Sequence, residues 1–245
     1  MTSNGAIYDT KNPTAPVIKI TTADPVAGVS DPRIEIFNSD VDFSISVEDP
    51  EVNETYSGLA SVSYKIKNNG TVTQEGDFNN ELTPALMKRK LSKNLTVYAS
   101  NNNGNNIVIE VTAKDNAGNE SSETRELAID STKPEITVSY DNNTVANGKY
   151  FKADRTMKIE YTERNFYEKG ITFDVSTNGG VLQKGISLAD LNNLSGITVE
   201  KTHTDSQEGT DFKSLTDERV NTYTILFDAG LDFAAAAVYA GGGGA

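Results

Sequence analysis

The sequence predicts an all-β fold, two β-sandwiches in tandem, on three observations. Apolar residues alternate with polar ones at period two, turn signals return about every ten residues, and one strand order occurs twice. Successive side chains of a strand point to opposite faces, so this alternation marks a sheet with one face on a core and the other in water.

Taken in order, residues 1–13 read as an N-terminal extension and residues 14–130 as the first domain, opened by the strand Pro16-Val17-Ile18-Lys19-Ile20. Phe43, Ile45 and Val47 alternate with Asp42, Ser44, Ser46 and Glu48, and Val62, Tyr64 and Ile66 alternate with Ser61, Ser63, Lys65 and Lys67. Leu82 to Leu91 breaks the pattern. With Pro84 near its start and Leu86, Met87 and Leu91 spaced for one helical face, it predicts a short helix crossing between sheets. Ile107, Ile109 and Val111 resume the alternation and run into Asp115-Asn116-Ala117-Gly118-Asn119, where Gly118 can take the positive φ of a turn. Residues 121–129 should therefore return as the partner strand. The predicted core of this domain is Phe43, Ile45, Val47, Val62, Tyr64, Ile66, Ile109 and Val111.

Asp130-Ser131-Thr132-Lys133-Pro134 is short, polar and ends in Pro, which reads as a joint that restricts the hinge between domains. Residues 131–245 then form the second domain, and its first half repeats the first domain. Pro134-Glu135-Ile136-Thr137-Val138 aligns with residues 16–20; Met157, Ile159 and Tyr161 align with Phe43, Ile45 and Val47; Ile171, Phe173 and Val175 align with Val62, Tyr64 and Ile66. Asp49 falls opposite Glu163. Leu188, Leu191 and Leu194 suggest a helical turn near residues 192–195. Asp232 to Tyr239 stands where the penultimate strand should lie, although its alanines, and the glycines that follow, are poor strand formers. The last strand is missing by this alignment. A sandwich without it leaves an open edge, so the native protein is expected to continue past Ala245, the alternative being a strand supplied by another chain.

Composition narrows the job. With 35 Asp plus Glu against 22 Lys plus Arg the formal charge is −13, which repels phosphate backbones and argues against nucleic acid as a partner. No apolar run approaches the roughly 20 residues of a membrane-spanning helix, so membrane insertion is not expected. Without cysteine there is no disulfide, thiolate metal site or cysteine nucleophile.

Little catalytic chemistry stands out. His203 is the sole imidazole and falls in the polar stretch Lys201-Thr202-His203-Thr204-Asp205, read as a loop where a solvated His is the ordinary case. Asp40 with Asp42, and Asp49 with Glu51 and Glu54, could in principle pair for hydrolysis, but nothing apolar beside them would raise one pKa, so they read as surface acids. Calcium is the stronger use of acids, because loops can bring six to eight oxygens together. A sandwich would gather Asp49, Glu51 and Asp115 at one pole. The linear Asp-x-Asp-x-Asp-Gly signature is absent, however, and the expectation is no metal, no cofactor and no catalytic residue. Tyr56, Phe166 and Tyr167 read as loop aromatics that cap a sandwich end.

Val111-Thr112-Ala113-Lys114-Asp115-Asn116-Ala117-Gly118-Asn119, Ile129-Asp130-Ser131-Thr132-Lys133-Pro134 and Thr162-Glu163-Arg164-Asn165-Phe166 together resemble the tandem immunoglobulin-like domains of large bacterial surface and secreted proteins, especially those of Gram-positive bacteria. The resemblance runs from about Pro13 onward. It implies immunoglobulin-like sandwiches, an extracellular or cell-surface (cell-wall) location, and neighbouring immunoglobulin-like domains of the same chain as partners. It also implies a stalk or adhesive role toward a host or cell-surface protein or glycan. That family has no catalytic residues, so the chain is expected not to be an enzyme. The alternative is an accessory region of a large secreted protease or glycosidase whose catalytic domain lies elsewhere.

Overall fold

The computed structural model describes residues 9–22, 35–51, 54–140, 155–166, 168–177, 181–204, 213, 219–227 and 233–239. In chain order the strands are β1 (Val17–Ile20), β2 (Ile36–Phe37), β3 (Val41–Glu48), β4 (Leu59–Asn68), β5 (Thr71–Asp77), β6 (Lys90–Val97), β7 (Gly104–Asp115) and β8 (Glu120–Ile129). They continue as β9 (Glu135–Tyr140), β10 (Arg155–Glu163), β11 (Ile171–Thr177), β12 (Gln183–Ser187), the short helix α1 (Leu188–Asn192), β13 (Ile197–Thr204), β14 (Arg219–Phe227) and β15 (Phe233–Tyr239). The fold is all-β, as the alternation predicts. Two compact units divide it: Met1–Asp24 with Ser39–Ile129, and Pro25–Asn38 with Asp130–Ala245.

In the first unit one sheet runs β1-β3-β6 and the other carries the order β8-β7-β4-β5. Phe43, Ile45 and Val47 on β3, Val62 and Ile66 on β4, and Ile109 and Val111 on β7 are buried, as predicted. Tyr64 is the exception. It is half-buried, with its ring stacked on Phe78 at a centroid distance of 6.0 Å. The turn after β7 is built as its sequence suggests: Gly118 takes φ +95° and β8 pairs antiparallel with β7.

The helix expected over Leu82 to Leu91 does not form. Two single turns of 3₁₀ geometry occupy Asn79–Glu81 and Pro84–Leu86, Met87 turns left-handed at φ 42°, and β6 begins at Lys90. The reason is burial. Leu82 and Leu91 insert into the core while Leu86 and Met87 stay exposed, so these residues never share one helical face.

The second unit repeats this plan. Its sheets run β13-β14-β10-β9 and β12-β11-β15, so β9-β10-β14 corresponds to β1-β3-β6, and β12-β11-β15 to β5-β4-β7. Met157, Ile159, Tyr161, Ile171, Phe173 and Val175 form its core together with Tyr223 and Ile225, side chains from both sheets in one cluster. The addition relative to the first unit is α1 with β13. Ser187 caps α1, its hydroxyl oxygen accepting the Asp190 amide at 3.1 Å, and Leu191 sends its side chain into the core. The helical turn thus sits slightly before the position read from sequence. β15 pairs with β11 from Ile171 to Thr177, which places the alanine run in a strand; ladder pairing here overrides weak intrinsic propensity.

Glu168, in a 3₁₀ turn just before β11, ties β13 to β14 by accepting from Lys201 Nζ at 2.6 Å and Tyr223 Oη at 2.7 Å. Partial burial acts to raise its pKa, but the Lys201 and Tyr223 hydrogen bonds and the Lys201 charge outweigh it and hold the carboxyl below its ordinary value.

Two outcomes test this description. Replacing Ile109, fully buried on β7, by Ala leaves a cavity and should cost about 2–4 kcal/mol in denaturant melts. Because the folded pKa of Glu168 is depressed, its stabilisation is present above the ordinary value of 4.5 and lost as pH falls through the folded value. Glu168→Gln should therefore lose stability at neutral pH and show a shallower fall on acidification.

Candidate functional site

The pleat of β3 does not stop at its last apolar residue. Val41, Phe43, Ile45 and Val47 point inward, and the next inward position is Asp49, whose side chain is fully buried. β7 ends the same way: Ile107, Ile109, Val111 and Ala113 are followed on the inward face by the buried Asp115. Both strands finish at the same end of the first unit, so two carboxylates arrive at the rim of its core.

A third comes from the chain before β1. Asp9, half-buried, lies with Asp49 and Asp115 so that one carboxylate oxygen from each falls within 4.8 Å of the others. The loop from Ser57 to Gly58 stitches the group together. Asp49 Oδ2 accepts the Gly58 amide at 2.6 Å and the Ser57 amide at 3.2 Å, and the same Ser57 amide donates to Asp9 Oδ2 at 2.9 Å. Asn116 closes the other side, its side-chain amide donating to the carbonyls of Ser57 and Gly58 at 3.0 Å. Asp115 accepts from the Asn119 amide and from Asn119 Nδ2, both at 2.8 Å.

Gly58 is required by this geometry. It adopts φ +80°, and a Cβ placed there would sit 2.8 Å from the Met87 carbonyl carbon. Only a residue without Cβ can turn its amide onto Asp49 while passing that close to the Met87 backbone.

Asp49 Oδ1 is buried and meets no hydrogen-bond donor. Burial raises the Asp49 pKa, the negative charges of Asp9 and Asp115 raise it further, and the Gly58 and Ser57 amides pull the other way without cancelling them. Burial also acts upward on Asp9, yet the Lys11 and Ser57 amides overcome it and hold that carboxyl low. Nearby Arg89 is already occupied. Its guanidinium contacts Glu51 at 2.5 Å and Glu48 at 3.3 Å, stacks over the Tyr56 ring at 4.8 Å, and reaches Asp49 only through the backbone carbonyl.

The second unit answers the same constraint differently. Met157, Ile159 and Tyr161 are followed inward by the buried Glu163 and Asn165. Asp130, read from sequence as part of a polar joint, is also buried, and it receives Arg164 at 2.8 Å and Asn165 Nδ2 at 2.6 Å. The Asn165 amide donates to Glu163 at 3.3 Å, and the Asp130 amide to the Phe37 carbonyl at 2.8 Å. Here a guanidinium is part of the fold.

Of the acids considered from sequence, Asp49 and Asp115 come together as the sandwich pole requires, whereas Glu51 turns away to Arg89 and Asp9 takes its place. Reading Asp49 as a surface acid is corrected by its burial. Extending the alternation two residues past Val47 and Val111 would have found both inward acids. Asp9 left no such signal, since it lies in no strand. Asp40 and Asp42 do not form a pair for hydrolysis: Asp40 accepts the Ala99 amide at 2.8 Å and Asp42 accepts the Thr96 hydroxyl at 2.6 Å. Glu54 is exposed. The His203 backbone belongs to β13 opposite Thr222 rather than to a loop, and its side chain is outside the described residues. Tyr56 lies under Arg89, and Phe166 packs 6.2 Å from Tyr161 against the second core. Tyr167 is outside the described residues.

No family model and no curated protein matches the chain. Among solved structures it is similar to a red sea bream transglutaminase, at 12% identity over 92% of this chain and 31% of that one, with a TM-score of 0.28. It is also similar to two structures of a glycosyl hydrolase family 2 member from Bacteroides cellulosilyticus, at 12% identity over 92% of this chain and 29% and 28% of those, with TM-scores of 0.21 and 0.22. The chain spans less than a third of each of these proteins.

Gly58→Ala should destabilise the first unit by at least about 1–2 kcal/mol from its left-handed backbone alone, and by more once the Met87 backbone is displaced. Denaturant melts read this directly. A loss below half a kcal/mol would show that the loop relaxes freely.

Proposed function

We propose that the chain is a non-catalytic stalk or interaction module of a bacterial cell-surface or secreted protein, working outside the cell as a spacer or adhesive element. The observation that carries this reading is the strand plan used twice, β1-β3-β6 with β5-β4-β7 and then β9-β10-β14 with β12-β11-β15. Repetition of one sandwich serves length and presentation of surface, and neighbouring domains of the same chain are the first partners. A host or cell-surface protein or a glycan is the external ligand in this reading.

Three of the acids considered for hydrolysis support it by what they already do. Asp40, Asp42 and Glu51 are each engaged by a backbone amide, a hydroxyl or a guanidinium of the scaffold. Among the described residues, no helix is long and apolar enough to cross a membrane.

Purified protein incubated with peptide and glycoside reporter substrates should show no turnover above buffer. Turnover that vanishes on changing Asp49, Glu51 or Asp115 to the corresponding amide would overturn the proposal.

A further inference from the structure

We propose that Asp9, Asp49 and Asp115 form a binding site for one calcium ion at the rim of the first unit, a departure from the sequence expectation of no metal. Three oxygens, one per carboxylate, lie within 4.8 Å of one another. That spacing suits a single ion with bonds of about 2.3–2.6 Å, whereas the roughly 2.0–2.1 Å bonds and strict octahedron of magnesium demand a tighter set. The donors are all hard oxygens, as calcium prefers.

A group of acids alone would mean little. What singles this one out is Asp49: its side chain is fully buried, one oxygen takes the Gly58 and Ser57 amides, and the other, Oδ1, is buried without a donor. A buried carboxylate oxygen left bare is costly, and costlier beside like charges. The charges acting on it, from Asp9 and Asp115, are both negative. The nearest guanidinium, Arg89, is turned to Glu48 and Glu51.

The second unit holds a buried acid of its own, Asp130, ahead of its first strand. There the buried Asp130 is met by Arg164 and Asn165, so cation and amide are supplied by the chain. On Asp49 the donors are the Ser57 and Gly58 amides, and a bound ion would supply the positive charge. An ion bound there would join the segment before β1, the end of β3 and the end of β7, fixing the pole of the sandwich. The inference does not rest on the stalk reading, since a cation site of this kind would serve an accessory region of an enzyme equally.

The whole chain, freed of metal with EDTA and dialysed into chelated buffer, should be titrated with CaCl2 and with MgCl2 by calorimetry. Melting is followed in parallel by circular dichroism. One calcium per chain should bind, with Tm rising as calcium rises. Asp9→Asn and Asp115→Asn should weaken binding at least tenfold, and Glu75→Gln, on the exposed side of β5, should leave it unchanged. Asp9 is only half-buried, so its variant keeps the test alive if Asp49→Asn does not fold. Absence of saturable calcium binding in folded protein would overturn the proposal, as would unchanged affinity in both Asp9→Asn and Asp115→Asn. Tighter binding of magnesium than of calcium would overturn the choice of ion.

Discussion

In both units the strand next to the first one carries its inward face one step beyond the last apolar side chain, and that step is a carboxylate: Asp49 after Val47, Glu163 after Tyr161. The pleat permits no choice, because neighbours on a strand must point to opposite faces. Everything at that end of each sandwich is arranged around the buried acid. Its loops cannot be arbitrary, since a carboxylate removed from water needs donors or a countercharge to remain there.

The two units meet this demand with different chemistry. In the second, the chain after β10 supplies Arg164 and Asn165, and both turn to Asp130 at the start of the unit. Breaking such a pair would strand a charge in the interior, which makes these residues part of the scaffold rather than a reactive group. In the first, amides replace the guanidinium. Ser57 and Gly58 donate to Asp49, Asn119 donates to Asp115, and Gly58 can do so only through a backbone conformation that the Met87 backbone would deny to any side chain. Amides stabilise an acid but leave its charge in place.

The acids around β3 differ in burial. Asp40 and Asp42 are exposed, and each is tied to a neighbouring strand or turn, through the Ala99 amide and the Thr96 hydroxyl. Asp49 is fully buried, and its Oδ1 meets no donor.

Much of the fold was legible because strand periodicity is a local property. Phe43, Ile45, Val47, Ile109 and Val111 declare their face by alternation with their neighbours, and the matched triplets at Met157 and Ile171 declare the repeat. Leu82 to Leu91 misled because its apolar spacing fits a helix, while Leu82 and Leu91 are drawn to the core separately and the chain between them is pulled into two tight turns. Tyr64 has the right phase but is only half-buried, its ring stacked on Phe78. The site was half legible. The phases of Asp49 and Asp115 were written in their strands, yet Asp9 stands 40 residues from one and 106 from the other, and no periodicity links it to them. Sequence alone determined which residues face inward, because that depends on the pleat and nearest neighbours. Tertiary structure decided which inward acids meet, which find a guanidinium and which are left with a bare oxygen, because those outcomes depend on contacts across the sheet and on loops whose path only the folded chain defines.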